Sequence, residues 1–241
     1  MKLLKVVSYN MLKGHSFLSR KYSLEPMKEA LMQLSPDILF LQEFRGLHPK
    51  KWIAEYSPAE IFSLDHFPYH AYGMNAEYQK GHHGNAIFSK YPIIESENID
   101  ISQIPLAKRG VLHAKVQISS DANPLHLLCA HLDLFQKARN KQVAHIFSMI
   151  QKAIPSQEPM ILAGDFNDWN KKVDRQVMEQ LNLKSQPKLL PKTFPAVFPV
   201  FPLDRIYVRH LQVLSLSPEK GAPWIWLSDH LPLVMSCHIS I

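Results

Sequence analysis

Short apolar runs that stop at polar side chains set the plan of this chain. Met160-Ile161-Leu162-Ala163 is apolar throughout, reaches a Gly turn at Gly164 and breaks into Asp165-Phe166-Asn167-Asp168-Trp169. A run with no polar face of its own suits a strand covered on both sides. Such strands deliver functional groups at their carboxyl ends, where the sheet opens into a crevice. The competing reading is an ordinary Asp/Asn turn after a strand. Recurrence shifts the balance. Leu3 to Tyr9 reads as a strand ending at Asn10. Glu25 to Gln33 reads as a helix, with Leu24, Met27, Leu31 and Leu34 at helix-face spacing, and Ile38 to Leu41 as a strand ending in Gln42-Glu43. Further on, Leu125 to Ala130 is a strand ending in His131-Leu132-Asp133. Gln136 to Ala153 is a helix with Val143, Phe147 and Ile150 on one face, and Met160 to Ala163 is the strand that leads to Asp165. Asn10 lies 33 residues before Glu43, and His131 lies 34 before Asp165. The two strand–helix–strand units read as an internal duplication that places four polar groups along one edge of a shared core.

The remaining pattern is less even. Residues 45 to 83 are irregular and rich in His, Tyr and Pro, with a helix expected near Lys50 to Tyr56. Gly84 to Ser89 reads as a strand, and Glu95 to Ile101 with Val111 to Ile118 as a strand pair joined through Ala107-Lys108-Arg109-Gly110. Val173 to Leu181 reads as a short helix. Pro187 to Pro202 carries three Phe-Pro steps, which exclude a helix and are too aromatic for a disordered linker. An ordered loop over the site edge is expected there. Leu203 to Val208, Leu211 to Leu216 and Leu231 to Ile241 complete the strands. No linker composition interrupts the chain, and residues 1–241 are expected to form a single domain.

Composition narrows the class. Hydrophobic residues make up 46% and charged residues 20%, as in a soluble globular chain. The formal charge of +6 suits an anionic substrate or a polyanionic partner, or serves only solubility. Lys50-Lys51 and Lys171-Lys172 are doublets, not a basic tail. Cys129 and Cys237 sit in apolar runs and read as buried free thiols. Met1 to Val7 is too short and too charged for a signal peptide, no apolar segment approaches a membrane span, and the cytoplasm is the expected address.

The strand ends and adjoining loops supply Asn10, Glu43, His131, Asp133, Asp165, Asn167, Asp204, Asp229 and His230. Oxygen donors dominate, which suits a hard cation such as Mg²⁺ or Mn²⁺. HExxH, GxxxxGK, GxGxxG and GxSxG are all absent, so zincin, Walker-type, dinucleotide-binding and nucleophile-elbow chemistry are not indicated. A hard metal with Asp, Asn and His fits hydrolysis of a phosphate ester by water. The carboxylate then acts as base, and the amide and imidazole as donors to the phosphoryl oxygens.

SYNM (8–11), LQE (41–43), GNAIFSKYP (84–92), HLD (131–133), GDFND (164–168), LDRIYV (203–208) and SDHLP (228–232), in that order, resemble the motifs of the endonuclease/exonuclease/phosphatase superfamily. That group includes deoxyribonuclease I, exonuclease III-type repair nucleases, sphingomyelinases and inositol polyphosphate 5-phosphatases. The chain most resembles small bacterial members of uncharacterised substrate. The resemblance implies an α/β fold, a four-layer sandwich of two facing mixed β-sheets flanked by helices. It implies Glu43 as the principal metal ligand, aided by Asn10 and Asp229. It implies Asp165 as the residue that activates or positions water, and Asn167 as a donor to the scissile phosphate. His230 is implied as a phosphate-contacting imidazole oriented by Asp204, and His131 as a second phosphate contact. Arg109 is a candidate substrate contact and Asn85 a candidate at the site rim. Several residues also carry a structural reading: Asp204 pairing with Arg205 or Arg209, Asp133 capping the helix after it, Arg109 as a solvated hairpin charge, and His82-His83 as surface. The expected activity is Mg²⁺- or Mn²⁺-dependent phosphoester hydrolysis by a monomer, with nucleic acid favoured as substrate. The alternatives are a phospholipid or phosphoinositide substrate and, from another class, a non-catalytic binding module.

Overall fold

Two parallel strand pairs form the frame. β1 (Lys2–Asn10) and β2 (Ile38–Arg45) run parallel, joined through α1 (Leu24–Gln33), with Asn10 opposite Gln42. β7 (Leu125–His131) and β8 (Met160–Asp165) repeat the arrangement through α2 (Gln136–Ala153), with His131 opposite Asp165. The computed structural model describes residues 1–241 apart from 18, 20, 22, 47–65, 79, 80, 106, 182–189 and 241. The expected helix at Lys50–Tyr56 lies outside the described residues.

Each pair is extended by antiparallel strands. Around the first lie β3 (Tyr69–Tyr78), β4 (Gly81–Ser89), β10 (Leu211–Pro218) and β11 (Leu233–Ile239), giving a six-stranded sheet in the order β10-β11-β1-β2-β4-β3. Around the second lie β5 (Ile93–Asp100), β6 (Gly110–Val116) and β9 (Asp204–Arg209), giving the order β5-β6-β7-β8-β9. The inner faces pack together through Leu4, Val6, Phe40 and Ile87 of one sheet and Leu112, Leu127, Ile161 and Val208 of the other. Alternate residues point outward. Val7, Tyr9, Leu39 and Leu41 meet Met27 and Leu31 of α1 and Trp224 of α4 (Trp224–Leu227). Leu128 and Leu162 meet Val143, Phe147 and Ile150 of α2 and Val177 of α3 (Lys172–Leu181). The result is a four-layer sandwich, helix on sheet on sheet on helix. Covering both faces of the central strands explains their lack of a polar face. Each fully buried Leu or Val contributes roughly 1.5–3 kcal/mol of transfer free energy.

Two expectations need correction. Gly164 is not a turn: β8 runs through it to Asp165, paired with Ala130 of β7. Its φ of +146° and a backbone oxygen of Ala130 that lies 1.8 Å from where a Cβ would stand leave room only for glycine. The close approach of the two strands places Asp165 beside His131. The segment from Tyr69 is also more regular than its composition suggests. β3 is an edge strand whose Gly73 and Asn75 weaken the β signal, and β4 starts at Gly81, three residues before the apolar run.

A polar chain is buried beneath α2. The His126 imidazole donates from Nε2 to Glu158 Oε2 at 2.5 Å, which leaves its Nδ1 to accept from His113 Nε2 at 2.9 Å. The rings stack at 5.1 Å. Burial first, then the charges of His126 and Lys115, lower His113 to about 4, with Glu95 opposing. Burial also lowers His126, against the pull of Glu158. For a base held below its unfolded value near 6.5, stability is complete above that value and falls as pH drops towards 4. The expected loss between pH 7 and pH 5 is on the order of 1–2 kcal/mol from His113. Urea melts at the two pH values check this, and His113→Gln is expected to flatten the difference.

Candidate active site

The four strand ends meet where the two sheets open. Asn10 ends β1, Glu43 follows the last paired residues of β1 and β2, and His131 and Asp165 close β7 and β8. Asp204 opens β9 directly opposite Asp165. Asp165 is the centre: its side chain is 2% exposed. Its Oδ1 accepts the Asn167 backbone N–H at 3.0 Å, and its Oδ2 accepts the Asn10 amide at 3.0 Å. Around the same Oδ2 stand His131 Nε2 at 3.6 Å and His230 Nε2 at 3.7 Å, beyond direct hydrogen-bond length.

His230 is held from behind. Its Nδ1 donates to Asp204 Oδ2 at 2.8 Å, and Thr193 Oγ1 donates to the same oxygen at 2.5 Å. Neither arginine bonds the Asp204 carboxylate: Arg205 Nη1 donates to the Asp204 backbone carbonyl at 3.2 Å while its Nε stands 3.6 Å from Asp174, and Arg209 donates to the carbonyls of Glu158 and Pro155. Asp204 Oδ1 is buried without a partner among the described residues. Burial works against charge on His230, but the Asp204 and Asp165 carboxylates outweigh it and push the imidazole up to about 10. His230 is therefore an imidazolium with Nε2–H facing Asp165. Burial also pushes Asp165 up to about 6, partly offset by His230. His131 lies well below its ordinary range, through burial and then the charges of Arg109 and His230, and is neutral.

Glu43 sits in a β-bulge with φ +52°, the left-handed region, and its side chain is 18% exposed. Lys13 Nζ faces Glu43 Oε2 at 3.7 Å, too far for a hydrogen bond, so the carboxylate keeps lone pairs for a ligand. Asp229 is partly exposed, with the Ser228 oxygen 3.3 Å from its Oδ1. Glu43 and Asp229 offer carboxylates and Asn10 an amide oxygen, donors of the kind that suit Mg²⁺ or Mn²⁺. That amide oxygen also accepts the Leu12 N–H at 3.1 Å. A second grouping, Asp165, Asp204 and His230, brings ligand-type atoms within 4.8 Å of one another. Within it, His230 Nδ1 and Asp204 Oδ2 are already hydrogen-bonded to each other at 2.8 Å.

The outer candidates divide. Asn167, at φ +48°, donates its side-chain amide to Leu132 O at 3.0 Å, and Arg109 Nε reaches the same carbonyl at 3.2 Å. Both therefore stand at the edge of the pit containing Asp165. Asn85 does not occupy a rim. It is fully buried between the sheets, donating to Gly110 O at 2.8 Å and Cys129 O at 3.0 Å, because an edge of two packed sheets needs a polar strut for those carbonyls. Asp133 accepts the Phe135 N–H at 3.0 Å in a turn leading into α2, with no hydrogen bond to His131. Cys129 and Cys237 are buried free thiols. Three supports escaped the sequence reading. Ser228 donates to Asn10 O at 2.8 Å, and its adjacency to Asp229-His230 was a usable signal. Thr193, eleven residues before Asp204, gave none. Phe194, whose ring lies 5.0 Å from His230, gave only its place in the Phe-Pro segment.

Comparisons with known proteins agree with this fold. The model of the Endonuclease/Exonuclease/phosphatase family matches residues 7–230. The uncharacterized protein YbhP of Escherichia coli K12 is 35% identical over 248 residues, covering 98% of this chain and 96% of its own. Among solved structures, D. rerio TDP2 complexed with a single-strand DNA product superposes with a TM-score of 0.70 at 20% identity, over 99% of this chain and all of that one. Sphingomyelinase C from Streptomyces griseocarneus does so with a TM-score of 0.66 at 17% identity, over 98% and 99%.

Proposed function

The chain belongs to the endonuclease/exonuclease/phosphatase family, and from that premise we propose that it is a divalent-metal-dependent phosphodiesterase in which water attacks phosphorus directly. The observation that carries the reading is the Asp204–His230–Asp165 arrangement. A buried carboxylate holds an imidazolium, whose free N–H faces a second buried carboxylate across 3.7 Å. That gap is too long for a direct bond and suits a substrate oxygen or a water that bridges the two groups from the open side.

Asp165, ionised above about 6, accepts a proton from the attacking water at Oδ2 while Asn10 and the Asn167 N–H fix its orientation. His230 donates Nε2–H to a phosphoryl oxygen as negative charge grows there, and Asp204 keeps the ring in place. His131, neutral, and Arg109 line the same pit and contact the phosphate's remaining oxygens. Glu43, Asp229 and the Asn10 side-chain oxygen would hold Mg²⁺ or Mn²⁺, which when bound neutralises charge on phosphoryl and leaving oxygens. The net charge of +6 suits nucleic acid and anionic lipid alike. TDP2 with DNA and sphingomyelinase C share the fold, so the fold does not choose between them.

Glu43→Gln tests the ligand set. The variant is expected to need at least about tenfold more Mg²⁺ for half-maximal hydrolysis of bis(4-nitrophenyl) phosphate. A metal titration matching the parent removes Glu43 from the ligands.

A further inference from the structure

Among the described residues, the large exposed apolar side chains include a group in two loops beside the site. Phe198 is 75% exposed and Val197 57% in the loop before β9, while Phe135 is 65% and Leu134 58% exposed in the loop after His131. The remainder are scattered, as with Ile94 of β5 and Leu214 of β10. Scattered apolar residues need no explanation, but a group ringing a polar pit marks a contact surface.

Both loops are held firmly to the site. Val200 and Phe201 donate backbone N–H groups to Phe194 O at 2.9 and 2.8 Å, closing the tip that bears Val197 and Phe198. Ala196 N donates to Asp229 O at 2.7 Å, and Thr193 holds Asp204. Trp169 packs edge-on against Phe194 at 5.6 Å and Phe201 at 5.0 Å behind this tip. The other tip is tied down by Arg139 Nη1, which donates to Leu134 O at 2.6 Å. Exposed lysines flank the tips: Lys137 follows Phe135, Lys171 and Lys172 follow Trp169, and Lys192 precedes Thr193.

We propose that this edge docks on an anionic phospholipid surface. Leu134-Phe135 and Val197-Phe198 would enter the acyl boundary, the lysines would meet the head groups, and the phosphodiester of a lipid would present to the Asp165–His230 pit. Two features favour this occupant over single-stranded nucleic acid. Aliphatic Leu134 and Val197 offer no face for base stacking, and apolar tips ringed by lysine match the chemistry of an anionic interface. No helix among the described residues is long and apolar enough to cross a membrane. The docking face stands on the exposed residues themselves; only the lipid substrate rests on the phosphoesterase reading.

The test is co-sedimentation with vesicles of phosphatidylcholine alone and of phosphatidylcholine with phosphatidylglycerol, for the parent, Phe135→Asp and Phe198→Asp. Hydrolysis of bis(4-nitrophenyl) phosphate runs in parallel. The parent is expected to bind the mixed vesicles at least tenfold more tightly than the neutral ones. Each variant is expected to lose that binding tenfold while hydrolysing the soluble diester within twofold of the parent, which also shows that it is folded. A parent that ignores mixed vesicles, or variants that bind them as the parent does, overturns the proposal. So does a loss of single-stranded DNA affinity in these variants without vesicle binding by the parent. Vesicle binding lost in the variants, with no diester hydrolysis by the parent, upholds the docking face and sinks the phosphoesterase reading instead.

Discussion

Asp165→Asn is expected to lower kcat on a phosphodiester by about 10²–10⁴-fold, the range for removing a positioned base. The change is nearly isosteric, and the Asn167 N–H still has an oxygen at the Oδ1 position to reach. What disappears is the acceptor at Oδ2, since an amide nitrogen there presents hydrogen to the Asn10 amide and to His230. The fold has little reason to weaken. Burial raises the Asp165 carboxyl to about 6, so holding it ionised at neutral pH already opposes stability. The expected pairing is therefore lost turnover with an unchanged or higher melting temperature, a combination found where an active site is built at the expense of stability. Steady-state kinetics and a thermal melt on the same preparation check both halves. A variant that turns over like the parent removes Asp165 from the mechanism.

His230→Ala carries the second large effect, with two parts. Loss of the Nε2–H donor is expected to reduce kcat by about 10²–10³-fold, as for other donors to a developing anion. Loss of the imidazolium also leaves the Asp204 carboxylate buried with only Thr193 as a side-chain partner, since its Oδ1 already lacks one among the described residues. Removing one member of a buried ion pair costs about 3–5 kcal/mol, so the alanine variant is expected to melt well below the parent. His230→Gln separates the parts. Its amide can still donate towards Asp204, so it should retain more stability than the alanine variant while kcat stays low. Equal melting temperatures for the parent and the alanine variant would contradict the buried pairing, and parental kcat in the glutamine variant would contradict the catalytic role.

Much of this site was legible because strand ends carry it. Asn10, His131 and Asp165 each terminate an apolar run, and the matched spacing of the two strand–helix–strand units puts them on one edge. The facing of the two sheets, which closes the 3.0 Å bond between Asn10 and Asp165 across 155 residues, came only from the motif resemblance. Asn85 went astray because a buried amide that satisfies two carbonyls looks, in sequence, like any polar residue beginning a strand. Thr193 was invisible because its partner Asp204 is reached only through the fold of the Phe-Pro loop. β3 was missed because an edge strand need not alternate strongly, and Gly73 and Asn75 argue locally against it.

The most direct test of the central claim is Mg²⁺-dependent hydrolysis of bis(4-nitrophenyl) phosphate by the parent beside Asp165→Asn. Turnover is expected to require added metal, to be abolished by chelation and to fall by at least about a hundredfold in the variant. Metal binding without hydrolysis of any phosphodiester, or equal rates for the two proteins, would contradict it.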